Sequence, residues 1–334
     1  MTNTLAPPEF SLVVPCYNEE AGIEAFHARA AAVAYAVGGQ WEIVYVNDGS
    51  KDATLACLLA LRDRDPRVAV VNLSRNFGKE IALTAGLDHT TGRAVIVIDA
   101  DLQDPPEVIP DLVAAWREGY DMVYAQRRKR EGETWLKRKT ADWFYRVMQT
   151  IGGVSMPRDT GDFRLMSRRA VDALLLLREQ HRFMKGLFAW VGFPSKAVLY
   201  DRAPRHAGNS SWNYWKLWNF ALEGITSFTV LPLKIATYLG LLVAAVSIVY
   251  GGLIVVRTLI FSNPVPGYPS LITVILFLGG VQLMTLGVIG EYLGRIFNES
   301  KNRPLYLMER YLPPVGEAAI APSTTPRPVV AAPA

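Results

Sequence analysis

Two stretches of this 334-residue chain carry no charged residue: Ile235 to Val256 and Leu259 to Gly290. Each exceeds the roughly 20 residues a helix needs to cross the hydrocarbon core of a bilayer. A single run of this kind also fits a buried core helix. Two in succession, parted by the break SNPVPGYPS, favour a membrane hairpin, with spans expected at about 233–258 and 269–292. Lys234 precedes the first run and Arg295, Lys301 and Arg303 follow the second, while the connector is uncharged. The positive-inside rule then places both flanks in the cytoplasm. Arg257, at the outer end, runs against this assignment, although its stem is long enough to snorkel to the interface. The N-terminal MTNTLAPPEF has neither a basic start nor an apolar run, so the region before the hairpin is expected to stay cytoplasmic.

The first half alternates apolar runs with helix-like stretches: FSLVVP, EIVYVND, VAVVNL and AVIVIDAD are the runs. Continuous apolar strands between helices predict an α/β fold with a mostly parallel sheet covered on both faces. Ligands of such sheets bind beyond the carboxyl ends of the strands. The polar clusters fall there: Tyr17, Asn18 and Glu19 after the first strand, Asp48 after the second, Arg75, Asn76, Gly78 and Lys79 after the third, and Asp99 and Asp101 after the fourth. The expected organisation is a cytoplasmic α/β domain over residues 1–211, an interfacial helix within 212–230, the hairpin within 231–296 and a cytoplasmic segment 297–334. The interfacial helix is read from Trp212, Trp215 and Trp218, since tryptophan favours the headgroup level; a core helix is the alternative. From about 313 onward, Ala, Pro and Thr predominate and a disordered tail is expected.

Several function classes are disfavoured. With 2 cysteines and 4 dispersed histidines, neither a disulfide framework nor a cysteine or histidine metal site is expected. No GxGxxG follows the first strand, and NFGKE lacks P-loop spacing, which argues against a dinucleotide-dependent dehydrogenase and an ATPase. A net charge of +4 suits a membrane-facing or phosphate-binding protein; no nucleic-acid partner is expected.

At the end of a strand, residues i and i+2 point to one side, so Asp99 and Asp101 can converge while Ala100 faces away. Carboxylates in this arrangement suit a hard cation, Mg²⁺ or Mn²⁺, held together with substrate phosphates, and Gln103 offers a third oxygen. Asp104, before Pro105 and Pro106, reads as a helix cap.

VVPCYNEE at 13–20, VNDGSKD at 46–52, NLSRNFGKEIAL at 72–83, DADLQDPP at 99–106 and DTGDFRLMSR at 159–168 together resemble the family 2 glycosyltransferases of the GT-A fold, which is Rossmann-like. Within them, the chain is most similar to the polyprenyl-phosphate glycosyltransferases, the dolichyl-phosphate mannose synthase and bactoprenol glucosyltransferase group. HRFMKGLFAWVGF at 181–193 and RHAGNSSWNYWKLWNF at 205–220 look most like the bactoprenol branch. The resemblance implies that Pro15, Tyr17, Glu19 and Asp48 line a nucleoside pocket with Lys79 at its mouth, and that Asp99, Asp101 and Gln103 hold the metal against the donor diphosphate. It also assigns Asp162 to the acceptor side, where it orients sugar hydroxyls or the attacking phosphate, or accepts a proton; Asp159 is either a second such acid or a turn cap. Arg164 either pairs with Asp162 or touches a phosphate.

The implied acceptor is undecaprenyl phosphate, a monoester with a second pKa near ~6 that is largely dianionic at neutral pH and needs cations more than a base. Arg127, Arg138 and Arg205 are the expected phosphate contacts, with Arg128 and Lys137 as further candidates; a solvated basic face is the alternative for QRRKR at 126–130. The expected reaction is inverting transfer of a hexose at the cytoplasmic face of a bacterial inner membrane. UDP-glucose is the preferred donor, and UDP-aminoarabinose and GDP-mannose are the alternatives. A homo-oligomer, taken as a tetramer, is expected from the resemblance, with Gly290 and Gly294 as a small-xxx-small pair. A processive polysaccharide synthase would carry QxxRW, which QHRFM at 180–184 does not match. The rival of another class is a non-catalytic membrane protein that binds nucleotide or helps a lipid-linked sugar across.

Overall fold

The alternation of apolar runs is realised as one mixed sheet. The computed structural model describes residues 8–128, 157, 160–201, 229–261 and 267–315. Its centre is β1 (Phe10–Cys16), β2 (Trp41–Asn47), β3 (Val68–Leu73) and β4 (Ala94–Val97), all mutually parallel. The rest of the sheet is β5 (Met122–Arg127), β6 (Thr160–Ser167), β7 (Ser195–Tyr200) and β8 (Met308–Leu312), and the order is β7-β5-β6-β4-β1-β2-β3-β8. β-Branched side chains stand on both faces of the central strands, which is why these strands read as unbroken apolar runs. Leu12 and Val14 join Phe26 and Leu61 on one side, whereas Val13 joins Leu83 and Leu87 on the other.

The helices divide between those faces. On the first lie α1 (Ile23–Val37), α2 (Thr54–Arg64) and α4 (Ile109–Arg117). The second carries α3 (Lys79–Asp88), α5 (Arg168–Leu175) and α6 (Met184–Trp190). Gly86 lets α3 lie close on the sheet, because a Cβ there would stand 2.4 Å from Val13 Cγ1 and 3.0 Å from Val46 Cγ2. Both valines are stiff and buried. Gly86→Ala is therefore expected to cost about 1–3 kcal/mol by overpacking, measured as a lower unfolding midpoint. An unchanged midpoint would show that α3 can lift without loss.

The sheet is mostly parallel, as expected, with two antiparallel strands, one of them from beyond the expected domain boundary at 211. β6 runs antiparallel to both β4 and β5, and β8, contributed from beyond the hairpin, runs antiparallel to β3. β8 covers the open edge of β3 and is tied down by side chains: Asn72 Nδ2 donates to Glu309 Oε2 at 2.8 Å, and Arg62 Nη2 donates to the Pro313 carbonyl at 2.8 Å. The segment 313–315, placed in the tail by composition, is thus bonded to the domain, with Val315 N donating to the Pro66 carbonyl. The interfacial helix expected within 212–228 and the tail from 316 lie outside the described residues.

α7 (Leu231–Phe261) and α8 (Tyr268–Ser300) form the hairpin. Leu231–Ile254 and Thr273–Ser300 are long and apolar enough to cross a membrane, and neither is buried in the protein. Leu241, Val249, Leu253, Phe277 and Leu283 all face outward, as lipid-facing residues do. α8 continues two turns past the expected 292, which brings its end onto the loop before α6: Gln180 N donates to Glu299 Oε1 at 2.7 Å, and Asn298 lies 3.1 Å from His181 Nε2.

Candidate active site

The site is assembled from strand ends by register. β4 and β6 are antiparallel with Val97 opposite Arg164, so continuing the pairing by two residues sets Asp99 opposite Asp162. Between the two carboxylates stands Lys79, the first residue of α3, with Nζ 2.7 Å from Asp99 Oδ2 and 2.6 Å from Asp162 Oδ2. The sequence reading placed Lys79 at the mouth of the nucleoside pocket; it instead joins the acidic groups of the two strand ends. Burial works against its charge, but the two carboxylates outweigh it and raise the ammonium above its ordinary value. Asp162 shows the reverse balance: burial pushes up, and the charges of Lys79 and Lys185 prevail and bring it down to about 2. Asp99 is raised by burial against the pull of Lys79.

Asp101 follows on the same loop, with Oδ1 accepting from the Gln103 N–H at 3.1 Å, and Leu102 between them takes a left-handed φ of 58°. Gln103 is buried. Among the described residues no three His, Cys, Asp or Glu side chains gather into a metal cage. Asp99 and Asp101, oxygen donors on one loop, instead fit a hard cation whose shell is completed by water and phosphate, the usual manner of Mg²⁺. Asp162 Oδ1 is buried without a hydrogen-bond partner among the described residues.

Arg164 does not bond the Asp162 carboxylate. Its Nε donates to the Asp162 carbonyl at 3.2 Å and its Nη2 to the Gly161 carbonyl at 3.0 Å, while its guanidinium lies 3.5 Å from the centre of the Phe188 ring. Burial lowers it to about 10. Its work is to hold the backbone under Asp162, which leaves the phosphate contact offered by the sequence without support.

The loops after β1 and β2 are stitched together around Asn18, whose φ of 56° is a turn conformation that asparagine tolerates. Asn18 Oδ1 accepts from Lys51 N at 2.9 Å, and Glu19 N donates to Thr54 Oγ1 at 2.8 Å. Tyr17 is exposed beside them, and Pro15 and Glu19 are half-buried, leaving an open rim. Asp48 differs from its expected role as a base or ribose acceptor: its oxygens accept from Phe77 N at 2.7 Å and Gly78 N at 2.9 Å, anchoring the turn into α3. Gly49, at φ 62°, permits this, since a Cβ would meet the Arg75 and Asn76 backbone at 2.4 Å.

Asp104 caps no helix. The 3₁₀ turn Pro106–Val108 has Pro105 at its start with no side-chain cap, while Asp104 is buried and accepts a short hydrogen bond from the Tyr200 hydroxyl. Burial and the Asp104 charge push Tyr200 up to about 12. Arg127 completes this group, with Nε donating to Tyr200 Oη at 3.2 Å and Nη2 3.8 Å from Asp104 Oδ1. Much of its guanidinium is therefore engaged internally rather than free for the lipid phosphate. Among the described residues, Arg128 pairs at the surface with Asp201 at 3.5 Å. Lys137, Arg138, Asp159 and Arg205 lie outside the described residues. Sequence reasoning missed Glu80, Lys185 and Tyr200; adjacency to Lys79 was the one available hint, for Glu80.

Acidic strand ends bridged by a lysine, on a mixed sheet with a loop fit for a hard cation, define an α/β protein whose site gathers at the strand ends. Residues 11–175 match the family described as "Glycosyl transferase family 2", and residues 231–296 match "GtrB C-terminal hairpin". An uncharacterized glycosyltransferase of Synechocystis is 55% identical over 91% of this chain and 98% of its own length. The SfII prophage-derived bactoprenol glucosyl transferase of Shigella flexneri is 53% identical over 90% of this chain and 98% of its own. The chain belongs to glycosyltransferase family 2. Among solved structures, mannosyl-3-phosphoglycerate synthase from Rubrobacter xylanophilus aligns at 20% identity with a TM-score of 0.46, over 65% of this chain and 71% of that one.

Proposed function

We propose that this chain transfers glucose from UDP-glucose to undecaprenyl phosphate at the cytoplasmic face of a bacterial inner membrane, with inversion at the anomeric carbon. The observation that carries the reading is Lys79 joining Asp99 and Asp162 beside Asp101, in a chain that continues into an apolar hairpin. The relatives named bactoprenol glucosyl transferase, which match along nine-tenths of the chain, support the acceptor and the sugar. Lys234 and the basic residues after α8 support the orientation. A homo-oligomer, taken as a tetramer, belongs to the same proposal.

In this reading Tyr17 and Glu19 face the nucleoside, and Asp99, Asp101 and Gln103 hold Mg²⁺ or Mn²⁺. The bound cation supplies charge neutralisation at the departing diphosphate. Lys79 holds Asp99 and Asp162 close and favours the ionised form of Asp162, so that Asp162 presents a fixed acceptor to sugar hydroxyls at the opposite side of the reacting carbon. The acceptor phosphate attacks from that side as a dianion, and its oxygen–carbon bond forms as the bond to the diphosphate breaks. No proton has to leave the nucleophile, so Asp162 acts by orientation.

The test is transfer of radiolabelled sugar into the lipid phase by purified protein, with undecaprenyl phosphate and a panel of UDP-glucose, UDP-aminoarabinose and GDP-mannose. Label from UDP-glucose, cut at least ~100-fold by a chelator and restored by Mg²⁺ or Mn²⁺, is the expected result. Label from another donor alone would replace the sugar. No label from any donor, by folded protein, would favour the non-catalytic role.

A further inference from the structure

The loop that carries the proposed cation ligands contains a strained residue. Leu102, between Asp101 and Gln103, has a φ of 58°, a left-handed conformation that a leucine keeps only where its surroundings fix it. The loop is fixed at three places. At its front, Lys79 Nζ lies 2.7 Å from Asp99 Oδ2. In its middle, Ala100 and Leu102 are buried in the core that also contains Phe163 and Tyr200. At its rear, Asp104 is buried and accepts the short hydrogen bond from the Tyr200 hydroxyl.

Tyr200 is set for that bond by β7. It is the last residue of the strand, pairs in register with Arg127 on β5, and meets the Phe163 ring edge-on with 6.2 Å between centres. Arg127 Nε donates to Tyr200 Oη at 3.2 Å, which leaves the hydroxyl proton for Asp104, and its Nη2, 3.8 Å from Asp104 Oδ1, balances the charge of that acid. A Cβ on Gly161 would stand 3.5 Å from Arg127 Nη2 and 3.6 Å from Asp104 Oδ2, so the backbone just before Asp162 runs beside the same group.

We propose that Tyr200 and Asp104 are positioning residues for the cation: their hydrogen bond locks the rear of the 99–104 loop in the strained form that presents Asp99, Asp101 and Gln103 together. The cation itself rests on the transferase reading above; the lock is a property of this chain. Asp104 is peptide-bonded to Gln103, so a shift of the one moves the other, and the pair acts through the loop as the outer partners of metal ligands do. Arg127, read from the sequence as a phosphate contact, here directs the Tyr200 hydroxyl.

Mn²⁺ binding to the full-length protein in the presence of UDP, followed by the electron paramagnetic resonance signal of the free ion, reads the lock without turnover. Tyr200→Phe keeps the ring against Phe163 and removes only the hydroxyl, while Asp104→Ala breaks the same bond from the other side. Each is expected to weaken Mn²⁺ binding about 10- to 100-fold. The double variant should lose no more than the weaker-binding single, because one bond is missing in all three. Tyr306→Phe is the control: it removes another tyrosine–aspartate bond, Tyr306 Oη to Asp88 Oδ2 at 2.8 Å, at the end of α3 opposite Lys79. Its Mn²⁺ affinity should stay within about twofold of wild type. At saturating Mn²⁺, Tyr200→Phe should regain sugar transfer to within about threefold of wild type. Unchanged Mn²⁺ affinity in Tyr200→Phe, losses that add in the double variant, or an equal loss in Tyr306→Phe would each overturn the proposal, the last by showing that general loosening accounts for the effect. A wild type that binds no Mn²⁺ overturns it as well. A wild type that binds Mn²⁺ but transfers no sugar from any donor would instead defeat the transferase reading, while the Mn²⁺ titrations still decide on Tyr200 and Asp104.

Discussion

Asp162→Asn is expected to lower kcat by about 10²- to 10³-fold with little change in donor KM, the scale seen when a preorganised polar contact to the reacting centre is removed. The asparagine preserves shape but offers Lys79 a dipole in place of a charge, so the ammonium is held by Asp99 alone and the sugar meets a weaker acceptor. The same change has a signature in stability. The folded Asp162 sits at about 2, below its unfolded value, so its ionised form contributes stability that is fully present above the unfolded pKa and is lost as pH falls toward 2. On the order of 1–2 kcal/mol is involved. Denaturant unfolding of wild type at pH values from neutral down to about 3 should show part of this loss, and Asp162→Asn should be less stable at neutrality and flatter with pH. Initial rates within threefold of wild type would reduce Asp162 to a structural acid.

Lys79→Met is the second large effect. Removing the ammonium leaves Asp99 and Asp162 facing each other without the cation that joins them, and like charges at that range drive one carboxylate to take up a proton. Breaking a fully buried pair costs about 3–5 kcal/mol; because the Lys79 side chain is 44% exposed, solvent screening brings the expected loss to about 1–3 kcal/mol. Transfer should fall about 100-fold, and Lys79→Arg should recover little of it, since a planar fork cannot place one nitrogen between two carboxylates. Added Mg²⁺ should raise the unfolding midpoint of Lys79→Met more than that of wild type, because a divalent ion can then take the charge-balancing role. Equal midpoint shifts in the two proteins would show that the divalent ion and Lys79 do not share that role.

The chain by itself carried much of this. Apolar runs of β-branched residues specified the four central strands, because a strand covered on both faces has no polar side to show. The strand-end positions of Asp48, Lys79, Asp99 and Asp101 followed from those runs, and the two uncharged stretches specified the hairpin by length. What the sequence could not carry was which ends meet. Asp162 comes opposite Asp99 only because β6 inserts antiparallel beside β4, a pairing of residues more than sixty positions apart that no local pattern encodes. The same holds for Asp104, which reads as a cap by its place before two prolines but is claimed by Tyr200 from β7, and for Asp48, whose oxygens are taken by the turn into α3. β8 was hidden because a five-residue, half-exposed edge strand has neither the length nor the burial to stand out, and it forms by covering the open edge of β3. Sequence thus determined which residues bring charge to the strand ends, since burial and periodicity are local. Only the tertiary structure decided which charges neutralise one another and which, like Glu80 and Asp162, keep an oxygen unspent, since that depends on distances across elements that chain order leaves open.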